Sequence, residues 1–243
     1  MNAADLCVRL DWDSSFFGVS IARLTPGTVT ADDAARAVSW ARAHGVACLY
    51  ALVPTADSGS RQALASQGFE AVDERLTLAR ALSFPTAAPQ ESIRLATTDD
   101  IPALGALARS SHHNTRFYVD GHFDRARCDE LYATWITQST RTPDSHVLVA
   151  DASGVLIGYV SVQNLGASRA RIGLVAVAPE ARGKGLGRAL LKAALQTAAE
   201  SGSEEIDVVT QGGHQGAVAY YVSAGFAPTH SETWYHAWFG DAA

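Results

Sequence analysis

Arg182, Gly183, Lys184, Gly185, Leu186, Gly187 and Arg188 place three glycines and three cationic side chains in seven consecutive positions, a composition suited to holding an anion. Glycines let the backbone approach a ligand with no side chain in the way. If a helix begins there, its first N–H groups have no internal partner and its dipole adds partial positive charge. A pyrophosphate matches that chemistry. The flanking residues supply the elements that would position it. Ile172, Leu174, Val175 and Val177 form an apolar, β-branched run that reads as a buried strand stopped by Pro179. Leu186, Leu190, Leu191, Ala194 and Leu195 then recur at helical spacing. The order is strand, glycine-rich turn, helix.

Two common phosphate sites do not fit. A P-loop needs Lys and then Ser or Thr after its last glycine, whereas Gly187 is followed by Arg188 and Ala189. A dinucleotide fold carries its G-x-G-x-x-G near the start of a βαβ unit, and here the glycines come about three quarters of the way along the chain.

Composition sets wider limits. The 243 residues are comfortable for two small domains, and 47% hydrophobic content is ample for real cores. No uninterrupted apolar run approaches membrane-spanning length, and the N-terminal MNAADLCVRLDWD carries acids where a signal peptide carries bases, so no membrane partner is expected and the cytoplasm is the default compartment. Cys7, Cys48 and Cys128 are odd in number, far apart and without a CxxC or His-rich neighbour, so they read as small buried apolar residues, with no metal site. A net charge of −6 with dispersed basic residues argues against nucleic acid as a partner.

Taken in order, the chain suggests a strand at 6–10, a turn at 11–15, and a second strand beginning with Phe16-Phe17-Gly18 and ending at Pro26-Gly27. Thr30 with Asp32 and Asp33 caps a helix at 34–44. A strand at 47–53, a helix at 58–67 and a strand at 71–82 follow. The Pro- and Ala-rich SFPTAAPQ (83–90) marks a boundary between a first domain, 1–84, and a second, 91–243. The second domain reads as a strand at 93–95, a helix started by Thr98-Asp99-Asp100 and Pro102, and the polar-aromatic segment 112–123 without clear periodicity. A helix at 125–138, strands at 147–150 and 156–162 joined around Ser153-Gly154, the anion-binding unit, a strand at 204–210, a helix at 217–223 and a strand at 232–239 complete it. The last strand, with Trp234, Tyr235, Trp238 and Phe239, reads either as core or as a homodimer surface.

The first domain has a twin. Leu49-Tyr50 precedes Gly68-Phe69 by the same 19 positions that separate Ile206-Asp207 from Gly225-Phe226, at an offset of 157 in both places. Such a period fits a duplicated domain rather than a solenoid. The first copy has no counterpart of residues 182–187, so it is expected not to bind the cofactor and to shape the substrate side instead.

The V-A-V-A-P strand followed by Arg182, Gly185 and Gly187 resembles the Arg/Gln-x-x-Gly-x-Gly/Ala signature of the GNAT acetyltransferases, and the element order over about 90–240 is similar to that of a GNAT domain. The resemblance implies an α/β GNAT fold with a mixed central sheet, preceded by a smaller domain like a degenerate half-GNAT. It implies acetyl-CoA as cofactor, with Arg182, Gly183, Lys184, Gly185, Leu186, Gly187 and Arg188 on the pyrophosphate. Val175, Ala176 and Val177 offer backbone groups to pantetheine, and His214 and Tyr220 stand close by, His214 where the family often has Asn. Ala217 to Phe226 resembles the family's A-x-x-x-Y-x-x-x-G-F element, whose tyrosine acts as general acid; by spacing it is Tyr221. A phenol of pKa about 10 is a competent proton donor to a departing thiolate.

W-D-S-S-F-F-G, R-F-Y-x-D, L-Y-x-x-W-I and A-R-I-G-L together resemble the bacterial TDP-fucosamine acetyltransferase family, which implies a small-molecule acceptor: the 4-amino group of a nucleotide-linked dideoxy sugar. Asp73 and Glu74 then become candidates for receiving the amine proton. Residues 112–123 form the candidate sugar-nucleotide lip, with Arg116 facing a phosphate and Phe117 or Tyr118 stacking on a base or sugar; Gln163, Asn164 and Gln211 are further polar candidates at strand ends. Two other readings remain at this point: the same chemistry on an aminoglycoside, small amine or protein N-terminus, and a non-catalytic acyl-CoA-binding regulator.

Overall fold

The computed structural model describes residues 6–82, 93–152 and 154–240. Its strands and helices are β1 (Cys7–Arg9), α1 (Asp11–Phe17), β2 (Ile21–Leu24), α2 (Ala31–Ala43), β3 (Cys48–Pro54), α3 (Ser58–Ser66), β4 (Glu70–Ala81), β5 (Ile93–Leu95), α4 (Ile101–Arg109), α5 (Arg116–Val119), α6 (Arg125–Arg141), β6 (Ser145–Ala152), β7 (Val155–Gly166), β8 (Arg169–Val177), α7 (Leu186–Glu200), β9 (Glu205–Gln211), α8 (Gln215–Ser223) and β10 (Ala227–Trp238). The proposed boundary at 83–90 and the hairpin residue Ser153 lie outside the described residues.

Most local expectations follow from capping chemistry. Thr30 closes a capping box with Asp33 at the start of α2, and left-handed Gly68 (φ +82°) turns the chain after α3. Residues 11–15 are helix rather than turn. Trp12 and Phe16, one helical turn apart, stack at 5.1 Å, and the Ser14 hydroxyl donates to the Leu10 carbonyl and accepts from the Ile21 N–H. Phe16 and Phe17 therefore belong to α1, and β2 begins only at Ile21. Strand β10 starts five residues before the expected 232, because a register shift between Pro228 and His230 accommodates the proline, which has no N–H to donate.

Among the described residues ten strands form one mixed sheet, in the order β1-β2-β3-β10-β4-β9-β8-β7-β6-β5. The pairs β2–β3 and β8–β9 are parallel and the others antiparallel. The last strand of each chain segment is built into the other: β10 lies between β3 and β4, and β4 lies between β10 and β9. The offset of 157 returns in this register. Arg75 pairs with Gln211 and Pro54 with Glu232, so adding 157 to the first-segment residue of either pair gives the second-segment residue of the other. Arg75 and Glu232, themselves 157 apart, face each other across β4 and β10 and form an ion pair at 2.5 Å. The two segments share one sheet.

The last strand lies inside the sheet, with its aromatics packed on the core. A strand central in the sheet offers no edge to a second subunit, and its aromatics point inward: Tyr235 is buried, and Trp234 and Trp238 pack on the core shared by the two segments. That core joins Ile21, Cys48 and Tyr50 to Leu104, Leu131 and Tyr159, so α4 and α6 cover one face across both segments. Cys7, Cys48 and Cys128 are buried free thiols. Among the described residues no helix is long and apolar enough to cross a membrane.

Candidate active site

The parallel ladder between β8 and β9 pairs Arg169–Glu205, Ala170–Ile206, Arg171–Asp207 and Ile172–Val208, and then stops. Beyond it, β8 continues to Val177 while β9 keeps its partner β4 on the far side, so the two strands splay into a cleft. A bulge initiates the splay: the β7–β8 register shifts between Val160 and Val162, and the Ser161 hydroxyl accepts the Leu174 N–H at 2.8 Å. A Cβ on Gly173 would stand 2.7 Å from that oxygen, so the close approach requires glycine. The closed end is pinned by buried Asp207, which accepts from Arg171 at 2.5 and 2.8 Å and from Arg169 at 3.2 Å.

A cavity of about 310 Å³ fills the splay. Gly173 to Val175, Val209 to Gln211, His214 and Tyr221 form one wall, and Ser111, His112, Asn114, Thr115, Tyr132 and Trp135 the other. Tyr221, Val175, Gln211 and His214 thus line one cavity. Tyr221 is 6% exposed, and its ring packs on Tyr220 and Phe226. Burial, with the neighbouring Tyr220, pushes its phenol above the ordinary tyrosine value, and no described residue hydrogen-bonds its hydroxyl. His214 caps α8: its Nδ1 accepts the Ala217 N–H at 3.0 Å.

The glycine-rich turn leads from β8 into α7. Gly183 (φ +75°) and Gly185 (φ +82°) are left-handed, and Gly185 stands at the N-cap of α7 with no side chain capping the first turn. Arg182 Nε donates to the Val177 carbonyl at 3.0 Å and ties the turn to the end of β8, while Lys184, Gly185 and Leu186 border a cavity of about 640 Å³. The Tyr220 hydroxyl donates to the Gly187 carbonyl at 2.7 Å, so Tyr220 locks α8 to α7. The corresponding helix of the first segment, α2, is closed by its own capping box: the Thr30 hydroxyl accepts the Asp33 N–H and the Asp33 carboxylate accepts the Thr30 N–H, each at 3.2 Å. The open, uncapped start of α7 fits a diphosphate-bearing cofactor. Gly185→Val, forced into the left-handed region at a cost of about 1–3 kcal/mol, is expected to lower coenzyme A affinity about tenfold or more by calorimetric titration; unchanged affinity would remove the turn from the site.

The acidic pair divides. Asp73 has its carboxyl raised to about 6, chiefly by burial and partly offset by the Arg116 backbone N–H; it sits beside the wall formed by Thr115 and Tyr132. Glu74 accepts from the Ser231 hydroxyl at 2.6 Å and lies so close to Gly212 that a Cβ there would meet its carboxyl at 2.5 Å. Glu74 is spent on holding the turn after β9.

Of the lip segment, His112, Asn114 and Thr115 line the cavity, but Arg116, Phe117 and Tyr118 are placed otherwise than expected. The Arg116 guanidinium lies 4.2–4.3 Å from the ring centroids of Tyr50, Phe117 and Trp234 and donates to His236 Nε2 at 2.9 Å, so it serves packing rather than a ligand phosphate. Phe117 is 4% exposed and packs on Phe17 and Phe123, leaving no face for a base. Tyr118 donates to Asp129 at 2.5 Å. Gln163 and Asn164 fall at the wrong end of β7. Antiparallel pairing of Gly158 with Val177 puts the start of β7 at the open end of the splay, and Gln163, opposite Arg171, at the closed end. His112 opens the segment expected to form the lip but was given no role of its own there, and Tyr132 and Trp135 were given none. The last two carry only the helical spacing of an apolar face, which gives no sign that part of that face borders a cavity.

Residues 110–226 match the Acetyltransferase (GNAT) family. The dTDP-fucosamine acetyltransferase of Escherichia coli O6:H1 is 31% identical over 89% of this chain and 91% of its own length. A mycothiol acetyltransferase of Clavibacter sepedonicus is 33% identical over 53% of this chain and 39% of its own. The structure of a GCN5-related N-acetyltransferase from Sphaerobacter thermophilus superposes with a TM-score of 0.67, covering 96% of this chain and 76% of that one at 17% identity. With the splayed strands, the uncapped glycine turn and this relationship along nearly its whole length, the chain belongs to the GNAT family and is an acetyl-CoA-dependent N-acetyltransferase.

Proposed function

We propose that the protein acetylates the primary amine of a nucleotide-linked 4-amino-4,6-dideoxyhexose by direct transfer, with Tyr221 as general acid. The observation that carries the mechanism is the placement of the Tyr221 phenol, without a hydrogen-bond partner among the described residues, in the cavity between the splayed strands. The acceptor is inferred from the likeness to the dTDP-fucosamine acetyltransferase, which extends over both chain segments.

Acetyl-CoA supplies an activated thioester. The amides of the Gly183–Gly187 turn and the side chains of Lys184 and Arg188 hold its diphosphate, and the unpaired edge of β8 from Val175 to Val177 aligns the arm that reaches Tyr221. The phenol, kept protonated by burial, gives its proton to the departing sulfur. Asp73, ionised above about pH 6, takes the ammonium proton through water across the Thr115–Tyr132 wall. The first segment, whose α2 start is closed by its own cap, shapes the acceptor side.

The test is thiol release from acetyl-CoA with a panel of amines. The dTDP-linked 4-amino sugar is expected to give the highest kcat/KM, ahead of free amino sugars, aminoglycosides, small amines and peptide N-termini. Greater activity on a free amine would replace the acceptor; the partial likeness to a mycothiol acetyltransferase makes the acceptor of that enzyme the competitor to include. Cofactor binding without thiol release from any amine would favour the regulator reading. With an active acceptor, kcat/KM is expected to rise with pH through about 6, and Asp73→Asn to abolish that limb. An unaltered limb would leave Asp73 without a proton to take.

A further inference from the structure

Tyr159 lies in the middle of β7 with no exposed surface, and among the described residues its hydroxyl has one partner, Nε2 of His112 at 2.9 Å. Two arrangements are open to this pair. If Nε2 carried the proton and donated to the phenol oxygen, the tyrosine's own proton would be buried without an acceptor, which is costly. If the phenol donates, both atoms are satisfied and the imidazole proton must stand on Nδ1. His112 is therefore held in its Nδ1–H form, and no described residue accepts from that nitrogen. The ring is clamped by stacking on Tyr132, centroids 4.8 Å apart and planes 23° from parallel.

His112 borders the cavity that contains Tyr221, on the wall opposite the splayed strands. The splayed wall presents the unpaired edge of β8, which suits the amide-bearing arm of the cofactor, and this leaves the His112 wall to the acceptor. Burial holds the His112 imidazole down at about 4. A base that weak takes no proton from an alkylammonium, whereas a neutral imidazole N–H remains a good donor.

We propose that His112 is an acceptor-binding residue whose Nδ1–H, oriented by Tyr159, donates a hydrogen bond to an acceptor oxygen next to the reacting amine. An amino sugar, with a hydroxyl or ring oxygen beside its amine, satisfies that donor; a simple alkylamine leaves it unpaired and is disfavoured. The inference rests on the acetyl-transfer reading and adds a selection rule to it.

The tautomer is read by long-range proton–nitrogen NMR of ¹⁵N-histidine-labelled protein. The His112 signals are expected to show a protonated Nδ1 and a bare Nε2, with no titration from about pH 8 to about pH 5, and Tyr159→Phe should release that lock. A protonated Nε2 in the wild type would overturn the assignment. This measurement needs no acceptor, so it separates failure here from failure of the acetyl-transfer reading. In kinetics with the dTDP-linked 4-amino sugar, or the best acceptor of the panel, His112→Phe preserves the stacking and is expected to raise acceptor KM about 10–100-fold with acetyl-CoA KM unchanged. His112→Asn, which returns an N–H near the Nδ1 position, should recover much of the loss. An unchanged acceptor KM in His112→Phe, or a fall confined to kcat, would overturn the proposal.

Discussion

Tyr221→Phe is expected to lower kcat by roughly 10²–10⁴-fold, the range for loss of a general acid, while acetyl-CoA binding stays near its original value. The substitution removes one oxygen and keeps the ring that packs on Tyr220 at 5.0 Å and Phe226 at 5.6 Å, so folding is not the variable. The hydroxyl has no described protein partner, so its removal strands no buried group. Because burial raises the phenol above its ordinary value, Tyr221 stays protonated throughout the neutral range, and an alkaline fall in activity near pH 8 or 9 would have another origin. Steady-state kinetics beside calorimetric titration with acetyl-CoA separate the two effects. Full turnover in the phenylalanine variant would remove Tyr221 from the mechanism.

Asp120→Ala is expected to be the most destabilising single change where α5 meets β10. Asp120 is 6% exposed and accepts from His236 Nδ1 at 2.5 Å, Trp238 Nε1 at 2.9 Å, and the His122 N–H and ring nitrogen at 3.1 and 2.8 Å. His236 in turn accepts from Arg116 at Nε2, so a relay of Arg116, His236 and Asp120 ties α5 to β10. Removing the carboxylate leaves buried donors and a caged guanidinium uncompensated, a loss of about 3–5 kcal/mol, or roughly 6–20 °C in Tm for a chain of this size. Thermal unfolding followed by circular dichroism measures it; a shift of one or two degrees would show that the relay is dispensable.

The same relay makes stability acid-sensitive. Burial alone would raise Asp120, but the hydrogen bonds from His236, Trp238 and His122 outweigh it and hold the carboxyl well below the usual range. Burial holds His236 down at about 4. In both cases the unfolded chain binds more protons than the folded one, so stability falls as pH falls. The His236 contribution is lost between about pH 6.5 and 4, and that of Asp120 below about pH 4. Asp120→Asn should flatten the lower part of this profile.

The glycine-rich turn was legible because its signals are local. Arg182 to Arg188 lie within one turn and its helix, and glycine at φ +75° and +82° is required wherever the chain reverses there. Tyr221 was legible for a related reason: its distance from Gly225 is fixed by a single helix and its C-terminal turn. The repeat offset of 157 was equally visible, since a pairing register preserves sequence spacing.

Which residues of the wall opposite the splayed strands face the cavity was not legible. Arg116 meets His236 across 120 residues and Asp120 meets Trp238 across 118. An arginine beside aromatic residues reads the same in sequence whether it awaits a phosphate or is already enclosed. Only the tertiary structure decided that Arg116 and Phe117 close the core while His112 and Trp135 border the cavity. It also decided that the two segments exchange their last strands. The sequence by itself determined the glycine-rich turn and the place of Tyr221 on its helix, because backbone conformation within one element depends on neighbours a few residues away. The shape and polarity of the space facing them depend on contacts between elements far apart in the chain, and those exist only once the sheet has closed.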